Sequence, residues 1–437
     1  MAQPVDLLIL PRWIVPVSPA GVLENHALAV KGGRIVDLCP ADAAAGRFAA
    51  RETVELPEHV LIPGLVNLHA HAAMSLLRGY SDDVPLQQWL SAHIWPAEQK
   101  AVSADFVRDG TLLACAEMLA SGTTCFNDMY FFPGAAADAA LESGMRAALG
   151  MIVIDFPTSY ASDAEDYLNK GLAVRDRYKG EERLSFTFAP HAPYTVGDDM
   201  LGRIAVLAEQ LDAPVHIHLH ETAQEIRDSL DKYKVRPLER IAGAGLLSPK
   251  LIAVHAVHLL EAETETLARY GCHIAHCPAS NLKLASGLPS VKKWADAGIN
   301  FGLGSDGAAS NNRLDLFSEM RLAALLAKGV SGDASALPAA KALEAATLGG
   351  ARALGLDSQI GSLEASKWAD MAAVNLGGLD TQPVFDPVSH LVYAAGREQV
   401  SHVWVGGELK YADGRLSSIN LPDLKARIAY WRDKLAT

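Results

Sequence analysis

The chain has 437 residues, of which 50% are hydrophobic and 20% charged, and it carries a formal net charge of −13. That length allows one large domain plus a smaller one, and an acidic balance without any basic run argues against nucleic acid as a partner. No apolar run approaches the roughly 18 residues of a membrane span, so no membrane is expected either.

The five cysteines, Cys39, Cys115, Cys125, Cys272 and Cys277, are odd in number and lie in apolar segments. They read as reduced thiols of a cytoplasmic protein rather than as a disulfide framework. Residues 1–20 lack a basic stretch followed by an apolar core, so no signal peptide is expected.

In chain order, residues 5–58 hold short strands separated by turn residues, with Gly32-Gly33 as a hairpin turn. From about residue 60 a different rhythm sets in. Strands are expected at 66–71, 123–129, 146–154, 185–191, 214–220, 251–257, 273–278 and 300–306, with helix-patterned stretches between most of them. The helices at 106–122, 199–211 and 262–271 include two that end at a glycine, Gly122 and Gly271, where a C-cap belongs. Residues 369–416 return to short strands, with a second hairpin turn at Gly406-Gly407, and 421–434 has the pattern of an amphipathic helix.

Eight strands alternating with helices predict a (β/α)8 barrel, a TIM barrel, over residues 61–367. The two chain ends, 1–60 and 368–437, are expected to pair as one small β-sandwich domain beside it, with the terminal helix appended. An open doubly wound sheet is the competing topology. The barrel is favoured by what the strand ends carry. His69 and His71 end the first strand, His191 the fourth, and His216, His218 and His220 the fifth; His255 belongs to the sixth and Asp306 to the eighth. In a barrel these ends converge on one face, where such folds do chemistry.

Residues i and i+2 of a strand share a face, so His69 and His71 project together into the barrel mouth. Buried imidazoles need partners. A divalent metal ion supplies one, and a catalytic zinc takes three protein ligands and keeps a water position open. One such ion per subunit is expected, zinc ahead of iron or manganese. The fifth strand offers a further ligand, and spacing alone does not choose among His216, His218 and His220. The tight Cys272, His273, His276, Cys277 group reads as barrel packing, because alternate strand residues point to opposite faces.

The segments "PGLVNLHAH", "HLHET", "VHAVH", "CPASNLKLASG" and "GLGSDGAASNN", followed by "ADMAAVN", together resemble the amidohydrolase superfamily of metal-dependent deaminases and hydrolases. Within it, "HAAMSLLRGYSDDVPLQQWL", the glutamate after "WP" and "APHAPY" are similar to the 5′-methylthioadenosine/S-adenosylhomocysteine deaminase branch. The resemblance implies His69, His71, His218 and Asp306 as metal ligands. His218 is chosen because Glu221 follows it by three positions, the family's spacing. His216 and His220 then become orienting or packing residues.

The implied chemistry is hydrolytic deamination. Asp306 accepts a water proton, His255 orients that water, and Glu221 protonates the ring nitrogen beside the attacked carbon. Glu98 is expected to accept hydrogen bonds from ribose hydroxyls, and His191 to touch the purine or ribose; the substrate is a small nucleoside. In branch members that accept S-adenosylhomocysteine well, arginines after the third strand hold its carboxylate. Here no arginine occurs from 147 to 174, and Met151 stands where the first is expected, with Phe156 and Tyr160 nearby. An apolar pocket end around Met151 predicts 5′-methylthioadenosine as the better substrate, with adenosine and S-adenosylhomocysteine as lesser ones. The rival readings are a hydrolase of another heterocycle, of guanine or triazine type, and a non-catalytic nucleoside-binding scaffold. A homo-oligomer is expected.

Overall fold

The computed structural model describes residues 2–436. At its centre eight parallel strands follow one another in chain order around a barrel. They are β1 (Leu65–Ala70), β2 (Thr123–Asp128), β3 (Arg146–Val153), β4 (Leu184–Pro190), β5 (Val215–Leu219), β6 (Leu251–His255), β7 (His273–His276) and β8 (Phe301–Leu303). Val66, Cys125, Ala148, Val254 and Ala275 come from five of these strands yet form one buried cluster. An apolar plug therefore fills the barrel interior, as expected of this architecture.

The barrel closes between β8 and β1 through bonds just beyond the ladder. Asp306 N donates to His69 O at 3.0 Å. The buried Asn67 carboxamide donates to Ser305 Oγ at 2.7 Å and accepts from Ser305 N at 2.9 Å. Gly304 makes this closure feasible: a Cβ there would stand 2.8 Å from the His69 Cβ and 2.9 Å from Cys277 Sγ.

The helices follow the sequence reading closely. Ala104–Ala120 is capped by Ser103, whose hydroxyl accepts from Phe106 N at 3.3 Å. Gly122 and Gly271 follow their helices with φ of 85° and 67°, the left-handed turn that glycine adopts without strain. The terminal helix Leu421–Ala436 packs against the barrel: Trp431 Nε1 donates to Asp109 Oδ2 at 2.8 Å, and its ring lies edge-on to Phe106.

The chain ends do pair, but as one continuous nine-stranded sheet rather than two stacked sheets. The long strand Phe48–Pro63 joins them by pairing antiparallel with Met371–Asn375. The sheet curls until its two hairpin tips meet, with Gly407 N donating to Ala369 O and Ala369 N to Gly33 O, each at 2.9 Å. Leu28, Ile35, Leu61, Met371 and Trp404, drawn from both ends of the chain, fill the curl with a shared core. No helix among the described residues is long and apolar enough to cross a membrane.

Candidate active site

The strands stop short of the lengths expected from sequence, and the difference shapes the site. β1 ends at Ala70, β5 at Leu219 and β8 at Leu303, so His71, His220 and Asp306 lie just past the ladder. His220, His255 and Asp306 all have positive φ, at 55°, 69° and 59°. Non-glycine residues pay a steric cost there, and such strain gathers at functional sites. The turn at His220 carries its ring away from the mouth, where period-two alternation had put it. Its Nε2 accepts from Leu238 N at 3.0 Å, and its Nδ1 lies 3.6 Å from Glu263 Oε2.

The remaining groups converge. His69 Nε2 and His71 Nε2 are each 3.2 Å from Asp306 Oδ1, and His218 Nε2 is 3.2 Å from His69 Nε2. His255 joins from the far side, near enough to complete a second three-ligand group with His69 and His218. Among the described residues these are the two groups able to hold a metal ion, and the Cys272–Cys277 segment contributes to neither.

Each imidazole is held by its other nitrogen. His71 Nδ1 donates to Met129 O at 2.6 Å and His218 Nδ1 to His191 O at 2.7 Å. His69 Nδ1 bonds His216 Nε2 at 2.9 Å, and His255 Nδ1 bonds Asn281 Oδ1 at 2.9 Å. Anchoring Nδ1 directs each Nε2 inward, where it can offer a lone pair to an ion, the arrangement in which second-shell partners prepare metal ligands. Burial keeps His216 well below the usual histidine range, so it stays neutral and can accept. His71 lies at about 9 although burial opposes it, because Asp306 bonds it. Asp306 is held well below the carboxylate range against burial by the bonds from His69 and His71. The centre attracts positive charge, and its nitrogen and oxygen donors suit zinc.

Asp306 is restrained on both oxygens. Oδ1 faces the histidines, while Oδ2 accepts from Ser280 Oγ at 2.5 Å and Ser310 Oγ at 2.8 Å. Glu221 is buried, with Oε1 3.9 Å from His255 Nε2, and burial raises its pKa. The buried Glu225 carboxylate accepts from the backbone N–H of both His220 and Glu221, at 3.0 and 2.7 Å, and pins the turn that presents Glu221.

These groups open into a cavity of about 760 Å³, the size of a small-molecule site. Glu98 lies on its wall, on the helix Trp95–Ala101, where Tyr130 donates to its Oε1 at 2.6 Å. Burial pushes the Glu98 carboxyl up to about 7. His191 lines the cavity with Nδ1 bonded to Thr195 Oγ1 at 3.1 Å, and Trp89 and Trp95 also face it.

Met151, expected at the pocket end, is not there. Its side chain turns out of the barrel, so that a Cβ on Gly171 would meet the Met151 Cβ at 2.7 Å. Ile152, Ile154 and Phe156 take its place on the cavity wall. Among the described residues no lysine or arginine lines the cavity, and Arg146, at the opposite end of β3, is paired with Asp370. Sequence reasoning missed Tyr130, Ser280, Ser310 and Asn281. Tyr130, Ser280 and Asn281 act through tertiary contacts 26 or 32 positions away, which no spacing announces, and Ser310 through a local bond to Asp306 four positions back.

Comparison with known proteins extends these observations. The Amidohydrolase family matches residues 60–410. The chain is 49% identical over 433 residues to the 5-methylthioadenosine/S-adenosylhomocysteine deaminase of Saccharophagus degradans, covering 99% of this chain and 97% of that protein. It is 47% identical to the like-named protein of Teredinibacter turnerae, with 99% and 98% covered. Among solved structures, an adenosine deaminase from Xanthomonas campestris with bound zinc superimposes with a TM-score of 0.98 at 49% identity, over 100% of both chains. The atrazine chlorohydrolase of Arthrobacter aurescens complexed with zinc gives 0.88 at 25% identity, over 98% of this chain and 100% of that one.

Proposed function

Because this chain belongs to the amidohydrolase family, we propose that it is a zinc-dependent deaminase of adenosine-type nucleosides, with 5′-methylthioadenosine as its best substrate. The observation that carries this reading is that Glu98 opens onto the same cavity as Glu221, His255 and Asp306. A ribose-binding carboxylate and a hydrolytic centre then share one substrate.

His69, His71, His218 and Asp306 would hold the ion, which as a Lewis acid lowers the pKa of water toward neutrality. The protein's own groups manage the protons. Asp306, with Oδ2 fixed by two serines, offers Oδ1 to take a proton from the attacking water. Glu221, whose carboxyl is pushed above its ordinary range by burial, gives its proton to the ring nitrogen beside the attacked carbon. His255 directs Nε2 toward the same point. Water adds to the carbon bearing the amine, the proton held by Asp306 passes to that amine, and ammonia leaves as the new hydroxyl returns a proton to Glu221 and becomes the carbonyl. An acid and a base kept apart in this way by their environments are the mark of such chemistry.

Glu98 accepts the ribose hydroxyls while Tyr130 occupies one edge of its Oε1, and His191 touches the purine or ribose. The tail of the nucleoside meets Ile152, Ile154, Phe156 and Trp95, with no cation for a carboxylate. A methylthio group suits that wall, whereas a homocysteine tail brings charges that need partners or solvent. Ammonia release from 5′-methylthioadenosine, S-adenosylhomocysteine, adenosine, guanine and cytosine tests the reading. The expected order places 5′-methylthioadenosine first and the free bases last. Turnover of guanine in preference to nucleosides would overturn it.

A further inference from the structure

Behind the site, on the outer face of β7, His276 is buried and neither of its ring nitrogens has a hydrogen-bond partner. Its ring packs edge-on against Trp294 at 5.4 Å. The Asn281 side chain, equally buried, has one bonded end and one unpartnered end: Oδ1 accepts from His255 Nδ1, while Nδ2 bonds nothing. Both side chains line the same small cavity, of about 10 Å³, whose other walls include Leu288, Val291, Leu326 and Val330. A space of that size with polar groups on two sides is what one buried water requires.

The way Asn281 faces decides which nitrogen of His255 carries a proton. With Oδ1 toward His255, Nδ1 is the donor and Nε2 keeps its lone pair for the reaction centre. With the amide turned over, Nδ2 would donate to His255 Nδ1 and force the proton onto Nε2. The contact to His255 alone does not choose between these states, because an amide can present either end. The choice must come from what the other end of the amide meets. Burial lowers His276 to about 3, so it is a neutral ring with an acceptor nitrogen. A water that donates one hydrogen to this nitrogen can accept from Nδ2, the end left unpartnered while Oδ1 bonds His255, and that holds the amide in the orientation the structure shows.

We propose that His276 is a positioning residue for the reaction: through one water held in this cavity it fixes the Asn281 amide, and thereby the tautomer of His255. His276 touches neither substrate nor metal ligand in this arrangement. Its replacement therefore changes the chemical step and leaves substrate binding alone.

His276→Leu in the zinc-loaded enzyme tests this. We expect kcat to fall about tenfold or more, the loss usual for an orienting partner, with KM and zinc content unchanged. The thermal midpoint should change little, because an apolar group takes the place of a buried ring while Asn281 Nδ2 loses its bridged partner. His276→Gln, which restores an acceptor, should recover most of the kcat. Wild-type kcat in a folded His276→Leu enzyme would overturn the proposal, as would a glutamine variant no better than leucine. A crystal structure of the wild-type zinc enzyme at high resolution gives a test independent of any variant. A water within hydrogen-bond reach of both Asn281 Nδ2 and a His276 nitrogen supports the proposal, and a dry cavity overturns it.

Discussion

Charged groups are buried at both ends of the barrel, and they are partnered in opposite ways. At the end facing the curled sheet, Arg146 and Asp370 satisfy each other. Arg146 Nε donates to Asp370 Oδ2 at 3.0 Å and its Nη1 to Glu182 O at 2.8 Å, while Gly406 N donates to Asp370 Oδ1 at 2.7 Å. At the mouth, Asp306, His69, His71 and His218 point at a common centre, and the bonds around them serve to aim them there. One set of charges ties the barrel to the sheet. The other is prepared for something that the chain itself does not contain. Substitutions should therefore separate: stability without activity at one end, activity without stability at the other.

The largest effect is expected at the metal centre. His71→Ala should lose the bound ion and several orders of magnitude in ammonia release, since the ion supplies the Lewis acidity that lowers the pKa of the attacking water. The comparison must use metal-free proteins, because a bound ion stabilises the fold by mass action. Metal-free His71→Ala should then melt only a little below metal-free wild type, because Asp306 loses the bond from His71 but keeps those from His69, Ser280 and Ser310. Glu221→Gln comes next: zinc content unchanged, and kcat lower by roughly 10²–10⁴-fold, the usual share of a general acid. Near-normal turnover would mean that another group delivers the proton.

Arg146→Met probes the other end. It strands the Asp370 carboxylate in a buried place, and removing one partner of a buried pair costs about 3–5 kcal/mol. The thermal midpoint should drop while kcat per folded molecule stays put. A fall in kcat without loss of stability would erase the distinction between the two ends.

The same contrast explains what could be read from the chain. The barrel and the convergence of His69, His71 and His218 at its mouth were legible because i, i+2 pairs at the ends of apolar runs survive an error of one or two residues in strand length. Met151 was misplaced for a physical reason: all eight residues of β3 are buried. A strand covered on both faces shows no alternation of polar and apolar residues, so its inward side cannot be told from composition. His220 escaped because its left-handed turn is carried by a histidine, and sequence gives such turns away mainly at glycine. Tyr130 and Asn281 act by reaching residues 32 and 26 positions away, distances that carry no periodic signal.

Glu98 sharpens the comparison by pH. Its carboxyl lies at about 7 in the free enzyme because it is buried. Below that pH it is protonated and loses the capacity to accept both ribose hydroxyls; above it, the carboxylate accepts them. For nucleosides kcat/KM should therefore rise as pH passes about 7, and Glu98→Gln should remove that limb and cost a few kcal/mol of transition-state binding. A pH profile that is unchanged in the variant would assign the limb to another group.

The smallest effect concerns the tail, and it depends on which way β3 faces. Phe156 is 40% exposed and lines the cavity opposite Trp95, their rings 6.0 Å apart. An arginine there can lay its stem along the Trp95 ring and keep its head near water. It would offer a homocysteine carboxylate the cation that this cavity lacks. A half-exposed ion pair is worth about 1 kcal/mol or less, so Phe156→Arg should narrow the preference for 5′-methylthioadenosine over S-adenosylhomocysteine by about threefold to fivefold. Met151→Arg must behave otherwise. That side chain packs against Gly171 on the outer face of the strand, where an unpaired guanidinium has neither water nor an anion. It should lower the thermal midpoint and leave the substrate ratio where it was. If Met151→Arg shifted the ratio and Phe156→Arg did not, the side of β3 that meets the substrate would have to be reversed.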